Sequence, residues 1–255
     1  MKNATELLTI TGLKKYFGGL KAVDGVDITV KRGESLGLIG PNGAGKTTLF
    51  NTVCGVYVPT AGTIVLEGKE IQGMPAHQVA RRGVARTFQI TKVFKDMSVE
   101  DNLLVAFGMR RAPGIWSSLR RSHTRENLAE VHRLLEMVDI LPVAASKAGA
   151  LSLGYMRRLE IARALAMDPV LLMLDEPCAG LSQEATQDFM ELIRKLKQTG
   201  TTIMLVEHNM AVATALCDRM VVLSYGIKIA EGTPQEIQSN QAVIDAYLGE
   251  DEETA

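Results

Sequence analysis

Gly40-Pro41-Asn42-Gly43-Ala44-Gly45-Lys46-Thr47 decides how this chain folds. It directly follows the apolar run Ser35–Ile39 and directly precedes residues 48–53, which suit a helix, so the order is strand, glycine-rich turn, helix. Glycines let successive backbone N–H groups curl around phosphate oxygens, and the helix that follows offers its positive end to the same anion. Lys46 has the reach to touch the β- and γ-phosphates of a nucleotide, and the Thr47 hydroxyl suits a magnesium ion. The residues expected around a phosphate chain are therefore Gly40, Pro41, Asn42, Gly43, Ala44, Gly45, Lys46, Thr47 and Thr48.

A phosphate loop of this kind needs an acidic partner ending another buried strand. The apolar run 170–174 delivers Asp175 and Glu176 at a strand's carboxyl edge, where ligands of parallel sheets bind. Asp175 suits holding Mg²⁺ through water, and Glu176, pointing differently, suits polarising an attacking water. Around this pair the pattern alternates: helix to Met167, strand 170–174, helix 183–197, strand 201–206, helix, strand 220–224. Such alternation implies a parallel sheet flanked by helices. The opening third reads as strands at 7–11, 26–30, 35–39 and 63–66. Between about 98 and 143 the apolar spacing turns helical, through Leu128, Val131, Leu134, Leu135 and Val138, which reads as a helical lobe inserted into a mixed sheet. Gly232, Thr233 and Pro234 open a last helix, and 250–255 reads as a charged, frayed tail.

Bulk composition narrows the function. At 255 residues and 46% hydrophobic content the chain fills a sizeable core, and 28 basic against 29 acidic residues leave no electrostatic footprint for nucleic acid. The longest apolar runs fall short of a bilayer span, and Asn3, Thr5 and Glu6 stand where a signal peptide is apolar, so neither membrane spanning nor export is expected. Cys54, Cys178 and Cys217 are too few and too scattered for a disulfide framework or a metal site, which fits the reducing cytoplasm.

Leu151-Ser152-Leu153-Gly154-Tyr155-Met156-Arg157-Arg158-Leu159-Glu160-Ile161-Ala162-Arg163 resembles the signature sequence of the ABC ATPases. Ser152 suits capping the helix that begins after it, and Gly154 beside that helix start makes a second anion site. The resemblance implies a single ABC ATPase domain over 1–255: a P-loop NTPase core of the RecA-like kind, an N-terminal antiparallel β subdomain and an inserted helical subdomain at about 91–150. It implies ATP and Mg²⁺ as ligands, with each ATP sandwiched between the phosphate loop of one subunit and Ser152 and Gly154 of another. Phe17 resembles the aromatic that stacks on adenine, with Tyr16 as the neighbouring alternative platform. Gln89, after Arg86-Thr87-Phe88, resembles the glutamine that touches Mg²⁺ or the attacking water, and His208 resembles the histidine that contacts the γ-phosphate. His77, His123 and His132 have no comparable strand-end position. Lys46, Glu176 and His208 would carry the hydrolysis, and Thr47, Gln89 and Asp175 the metal.

Two departures from the common family pattern stand out. Leu153 and Tyr155 replace the signature's second glycine and the following glutamine, and Ser182 replaces the aspartate usual after the acidic pair. Outside the shared motifs, residues 17–24, 83–89, 100–106, 157–163 and 246–249 look like the larger ATPase of branched-chain amino acid uptake systems. That resemblance implies a second ATPase subunit, as a copy or a homologue, two membrane permease subunits and, indirectly, a periplasmic or extracellular binding protein, with the chain held at the cytoplasmic face of the membrane through the permeases. The lipopolysaccharide-export ATPase is a near relative, and a non-transport ABC ATPase of the iron–sulfur assembly type is the alternative from another class.

Overall fold

Leu171 and Met173 belong to one apolar cluster and Leu172 and Leu174 to another, as a strand covered on both faces requires. The same split separates Met204 and Val206 from Ile203 and Leu205, and Val221 and Leu223 from Met220 and Val222. The computed structural model describes residues 5–87, 92–111 and 124–253. In it these strands form a six-stranded sheet: β3 (Ser35–Ile39), β6 (Val84–Arg86), β7 (Leu171–Asp175), β8 (Ile203–Val206), β9 (Arg219–Ser224) and β10 (Ile227–Gly232). Their order is β10-β9-β3-β8-β7-β6, parallel throughout except for the antiparallel edge strand β10.

A second sheet, antiparallel, covers one face of the first. It comprises β1 (Glu6–Phe17), β2 (Leu20–Lys31), β4 (Ala61–Leu66) and β5 (Lys69–Glu70) in the order β2-β1-β4-β5. Leu8, Ile10, Val23, Ile28, Ile64 and Leu66 from this sheet share a core with Leu49 and Phe50 of α1 (Lys46–Val53). α2 (Ala76–Arg81) adds Val79 to that same core and runs into β6, while the other face is covered by α3 (Val99–Arg111), α4 (Arg125–Met137) and α5 (Leu153–Ala166), which pack on one another. Val131, Leu134 and Leu135 of α4 are buried in the same cluster as Leu103 and Phe107 of α3, the stripe that the spacing of apolar residues foretold. α6 (Gln183–Gln198) and α7 (Met210–Leu216) complete that layer, followed by α8 (Pro234–Gln238) and α9 (Gln241–Glu253). Thr233 caps α8 in a reciprocal box with Glu236.

The structure extends or corrects the sequence reading at several places. β1 runs on past Thr11 because a register shift between Ile10 and Leu13, with Gly12 at φ 55°, carries the pairing across a break in alternation. β5 and β6 are too short to show a period, and β10 is a half-covered edge whose residues do not alternate cleanly. The tail expected to fray from Glu250 is helical through Glu253, as the end of α9. Among the described residues no helix is long and apolar enough to cross a membrane.

Cys54, Cys178 and Cys217 are free thiols in the core. Burial pushes each of them up to about 12 from an ordinary 9.0, with Glu207 adding to the effect at Cys178. A thiol raised in the folded state stabilises the fold fully below the unfolded value, and that contribution is lost as pH rises from about 9 toward 12. Iodoacetamide at pH 8 should therefore label the native protein poorly and the urea-unfolded chain fully. Above pH 9 the urea midpoint should fall faster in the parent than in the Cys54→Ala, Cys178→Ala, Cys217→Ala triple variant; equal slopes would contradict the burial account.

Candidate functional site

The loop after β3 is held by two close backbone approaches. Gly40 sits at φ 144°, where a Cβ would lie 2.1 Å from the Leu223 carbonyl oxygen at the end of β9, and Gly45 sits at φ 98°, where a Cβ would lie 2.2 Å from Ala22 O of β2. Only glycine fits both places. Gly43, at φ 74°, instead faces open space. Gly226 N–H donates to Ala44 O at 3.0 Å and Ala44 N–H to Pro41 O at 3.3 Å, so the loop is braced from the β9–β10 turn and from within. Asn42, Gly43 and Thr47 are exposed, whereas Pro41, Ala44 and Lys46 are buried. The Lys46 ammonium donates to Gly40 O at 2.6 Å and Pro41 O at 2.7 Å, folded back over the loop. α1 starts at Lys46, so its free N–H groups open onto the loop.

Parallel register brings the acidic pair to the same edge. Leu38 of β3 and Asp175 of β7 both lie opposite Val206 of β8, which places Leu38 and Asp175 two strand spacings, about 10 Å, apart. The next residues along these strands are the phosphate loop, Glu176, and Glu207 with His208. Asp175 is 4% exposed; its Oδ2 accepts from Arg86 Nη2 at 2.7 Å, and its N–H donates to Thr87 Oγ1 at 3.4 Å. Glu176 takes a left-handed backbone, φ 45°, which is costly for a residue with a side chain. Its N–H donates to Val206 O at 3.0 Å, and its carboxylate stands 3.6 Å from His208 Nδ1. Asn209, next after His208, caps α7.

Two buried charges at this edge are not marked by the motifs. Arg86 of β6 reaches Asp175 and also Asn51 of α1. Glu207 is buried, and burial raises its carboxyl above the usual range, opposed by the nearby His208 and by N–H donation from Cys178 and Asn209. Glu207, like Asp175, continues an apolar strand, a position at the sheet's edge that the sequence shows, although neither its burial nor that of Arg86 is legible there.

The start of the signature helix is capped as its residues suggest. Ser152 caps α5 and accepts from Tyr155 N–H at 3.4 Å, and a Cβ on Gly154 would meet nothing within 4 Å. Leu153 and Tyr155 stand half-exposed on this first turn, beside an open cavity of about 300 Å³ that Ser152, Gly154, Tyr155 and Arg158 line. Arg157 Nη2 donates to Ala179 O at 3.1 Å, tying α5 to the segment after the acidic pair, and Ser182 caps α6 by accepting from Ala185 N–H. At the end of β1 the Phe17 ring is 42% exposed, edge-on to Tyr57 at 5.3 Å, with Lys15 Nζ 4.8 Å from its centroid. Tyr16 is committed elsewhere: its hydroxyl donates to Asp24, and that bond, with help from Lys14 and Lys21, holds the Asp24 carboxyl down at about 2. Gln89 lies outside the described residues.

The arrangement matches known proteins along nearly its whole length. The family model for ABC transporters matches residues 23–179, and one described as a branched-chain amino acid ATP-binding cassette transporter matches residues 228–253. The high-affinity branched-chain amino acid transport ATP-binding protein BraF of Pseudomonas aeruginosa is 45% identical, over 96% of this chain and 98% of its own length. The lipopolysaccharide export system ATP-binding protein LptB of Escherichia coli is 38% identical over 96% and 98%. Among solved structures, the ADP conformation of MJ1267, an ATP-binding cassette of an ABC transporter, superposes with a TM-score of 0.85 at 32% identity, covering 96% of this chain and 99% of that one. A phosphate loop, an acidic strand end and a capped signature helix in these relative places, with that degree of likeness, mean that the chain belongs to the ABC transporter family as one of its ATP-binding, ATP-hydrolysing cassettes.

Proposed function

We propose that this cassette powers the import of branched-chain amino acids, or a closely related small solute, through separate permease subunits at the cytoplasmic face of the membrane. The observation that carries the reading is 45% identity to BraF across 96% of the chain, joined by the branched-chain amino acid cassette match at 228–253. The export protein LptB is more distant, at 38%. A groove of about 410 Å³, with Val84, Ala85, Lys92, Val105, Ala106 and Arg163 in its walls, opens where the helical lobe meets the sheet. Its apolar floor and basic rim suit a short cytoplasmic helix of a permease. The lobe at about 91–150 then passes motion at the nucleotide to that helix.

In this reading the loop at 40–48 wraps the phosphates, and Lys46 exchanges the carbonyls of Gly40 and Pro41 for phosphate oxygens. Phe17 stacks on the adenine. The Thr47 hydroxyl and the Asp175 carboxylate are hard oxygen donors of the kind Mg²⁺ takes, so these residues, with Gln89, would hold it. When bound, the ion supplies positive charge to the phosphate oxygens. Glu176 accepts a proton from the attacking water, with His208 beside it directed at the terminal phosphate. Ser152 and Gly154 serve the ATP of a second ATPase subunit, so hydrolysis removes what holds two subunits together and the pair opens.

Glu176→Gln should keep ATP affinity and lower steady-state ATPase activity by about 10²- to 10⁴-fold; undiminished turnover would remove Glu176 from its role. Tyr155→Gln should leave ATP binding by the isolated subunit unchanged and alter turnover of the assembled transporter at saturating ATP. Affinity capture from detergent-solubilised membranes should bring down two integral membrane proteins and a second ATPase. Recovery of soluble cluster-assembly proteins alone would overturn the transport reading.

A further inference from the structure

We propose that Arg86 is a positioning residue for the Asp175 carboxylate and thereby sets how strongly the site couples a divalent cation to nucleotide; this rests on the reading of Asp175 as a metal-holding residue. Among the described contacts, groups on two elements, β7 and α1, hold the guanidinium. Nη2 donates to Asp175 Oδ2 at 2.7 Å on β7, Nη1 donates to Asn51 Oδ1 in α1, and the cation lies 5.2 Å from the centroid of the Phe50 ring in the same helix. The two side chains of the ion pair are 11% and 5% exposed, so water does little to screen or replace it. The backbone at the end of β6 is fastened to β7 as well: Thr87 N–H donates to Met173 O at 3.0 Å, and Asp175 N–H reaches the Thr87 hydroxyl.

This geometry decides how Asp175 presents itself. With Oδ2 paired to the arginine, the carboxylate cannot turn about its terminal bond without breaking a buried ion pair, which in this proposal reserves Oδ1 for the cation. Two effects oppose each other here. The positive charge disfavours a nearby cation, while the fixed orientation spares the carboxylate the cost of being ordered when the cation arrives. Groups that hold a metal ligand in place commonly change metal affinity by about 10- to 100-fold when removed, so orientation is the larger effect. Lysine does not substitute: it has the charge, but a single ammonium lacks the planar fork that spans Asn51 and Asp175 at once. Because β6 leads directly into the segment joining the helical lobe, the same side chain ties the lobe's root to the acidic strand end and to the helix behind the phosphate loop.

The test is ADP affinity measured by calorimetry on the purified full chain, in EDTA and at saturating Mg²⁺, with the ratio of the two dissociation constants as the readout. Asp175→Asn should bring the ratio close to one. Arg86→Gln and Arg86→Lys should each lower it by about 10-fold while the EDTA value stays within about 2-fold of the parent. Asn51→Ala, which leaves the charge in place and removes one anchor, should lower it in the same direction by less, and it answers the question should the Arg86 variants fail to fold. Arg86 variants that weaken both affinities equally, or raise the ratio, overturn the proposal. A parent ratio near one, or a ratio that Asp175→Asn leaves unchanged, overturns the metal reading of Asp175 and this proposal with it. A ratio that falls in Asp175→Asn but not in the Arg86 and Asn51 variants overturns the role of Arg86 alone.

Discussion

The structure depends on a register: Leu38 and Asp175 both face Val206 across one sheet. Side chains in a strand alternate, so a slip of one residue in β7 would turn Asp175 toward the helical layer and send Leu174 to its place. What opposes the slip is the charge: it would carry Asp175 away from Arg86 and toward the apolar side chains of the helical layer. Site geometry is thus tied to the packing of the strand that carries the charge. The phosphate loop inherits its place from the same register, because it begins one residue beyond the end of β3.

The loop also needs the antiparallel sheet. Ala22 O and Leu223 O occupy the positions that side chains at Gly45 and Gly40 would take, so the loop is clasped between β2 and the end of β9. That explains why a sheet without the acidic residues or the signature belongs to the same folding unit: it supplies Phe17 at its rim and a carbonyl wall at its base. α5, by contrast, presents Ser152 and Gly154 outward on a capped first turn. Among the described contacts none joins those two residues to the phosphate loop, which fits the proposal that they serve a second subunit's nucleotide.

How much of this was legible beforehand follows from how each feature is encoded. Strands buried on both faces appear as unbroken apolar runs, so β3 and β7 were readable, and with them the residues that follow. Helices with a stripe and a polar cap, such as α4 and α6, were equally plain. β6 and β10 were not, because three residues carry no period and an edge strand has one covered side at most. The pass of β1 through Gly12 was hidden for a related reason: a register shift breaks the alternation that reveals a strand. Arg86 and Glu207 lay beyond reading as buried groups, since an arginine or glutamate in sequence says nothing of whether a partner removes it from water. Phe17 was the preferred platform by resemblance, with Tyr16 beside it as the alternative. The bond from Tyr16 to Asp24 separates them, leaving Phe17 as the exposed ring.

Lys46, Asp175 and Glu176 at the phosphate edge each have a partner within the chain. Lys46 donates to two loop carbonyls, Asp175 accepts from Arg86, and Glu176 stands beside His208 while its backbone is pinned to Val206. Buried charges without partners would destabilise the fold by several kcal/mol each, so these pairings let a ligand-free chain keep the site formed. The arrangement also fixes the currency of ligand binding, which is exchange of hydrogen bonds rather than fresh burial of charge. In the proposed reading Lys46 trades neutral carbonyls for anionic oxygens, and charge-assisted bonds are roughly twice as strong as neutral ones, so the exchange favours the phosphate. Asp175 follows the opposite logic in the proposed reading, keeping its arginine and offering its other oxygen to the cation. A site built this way takes its form from contacts within the chain itself.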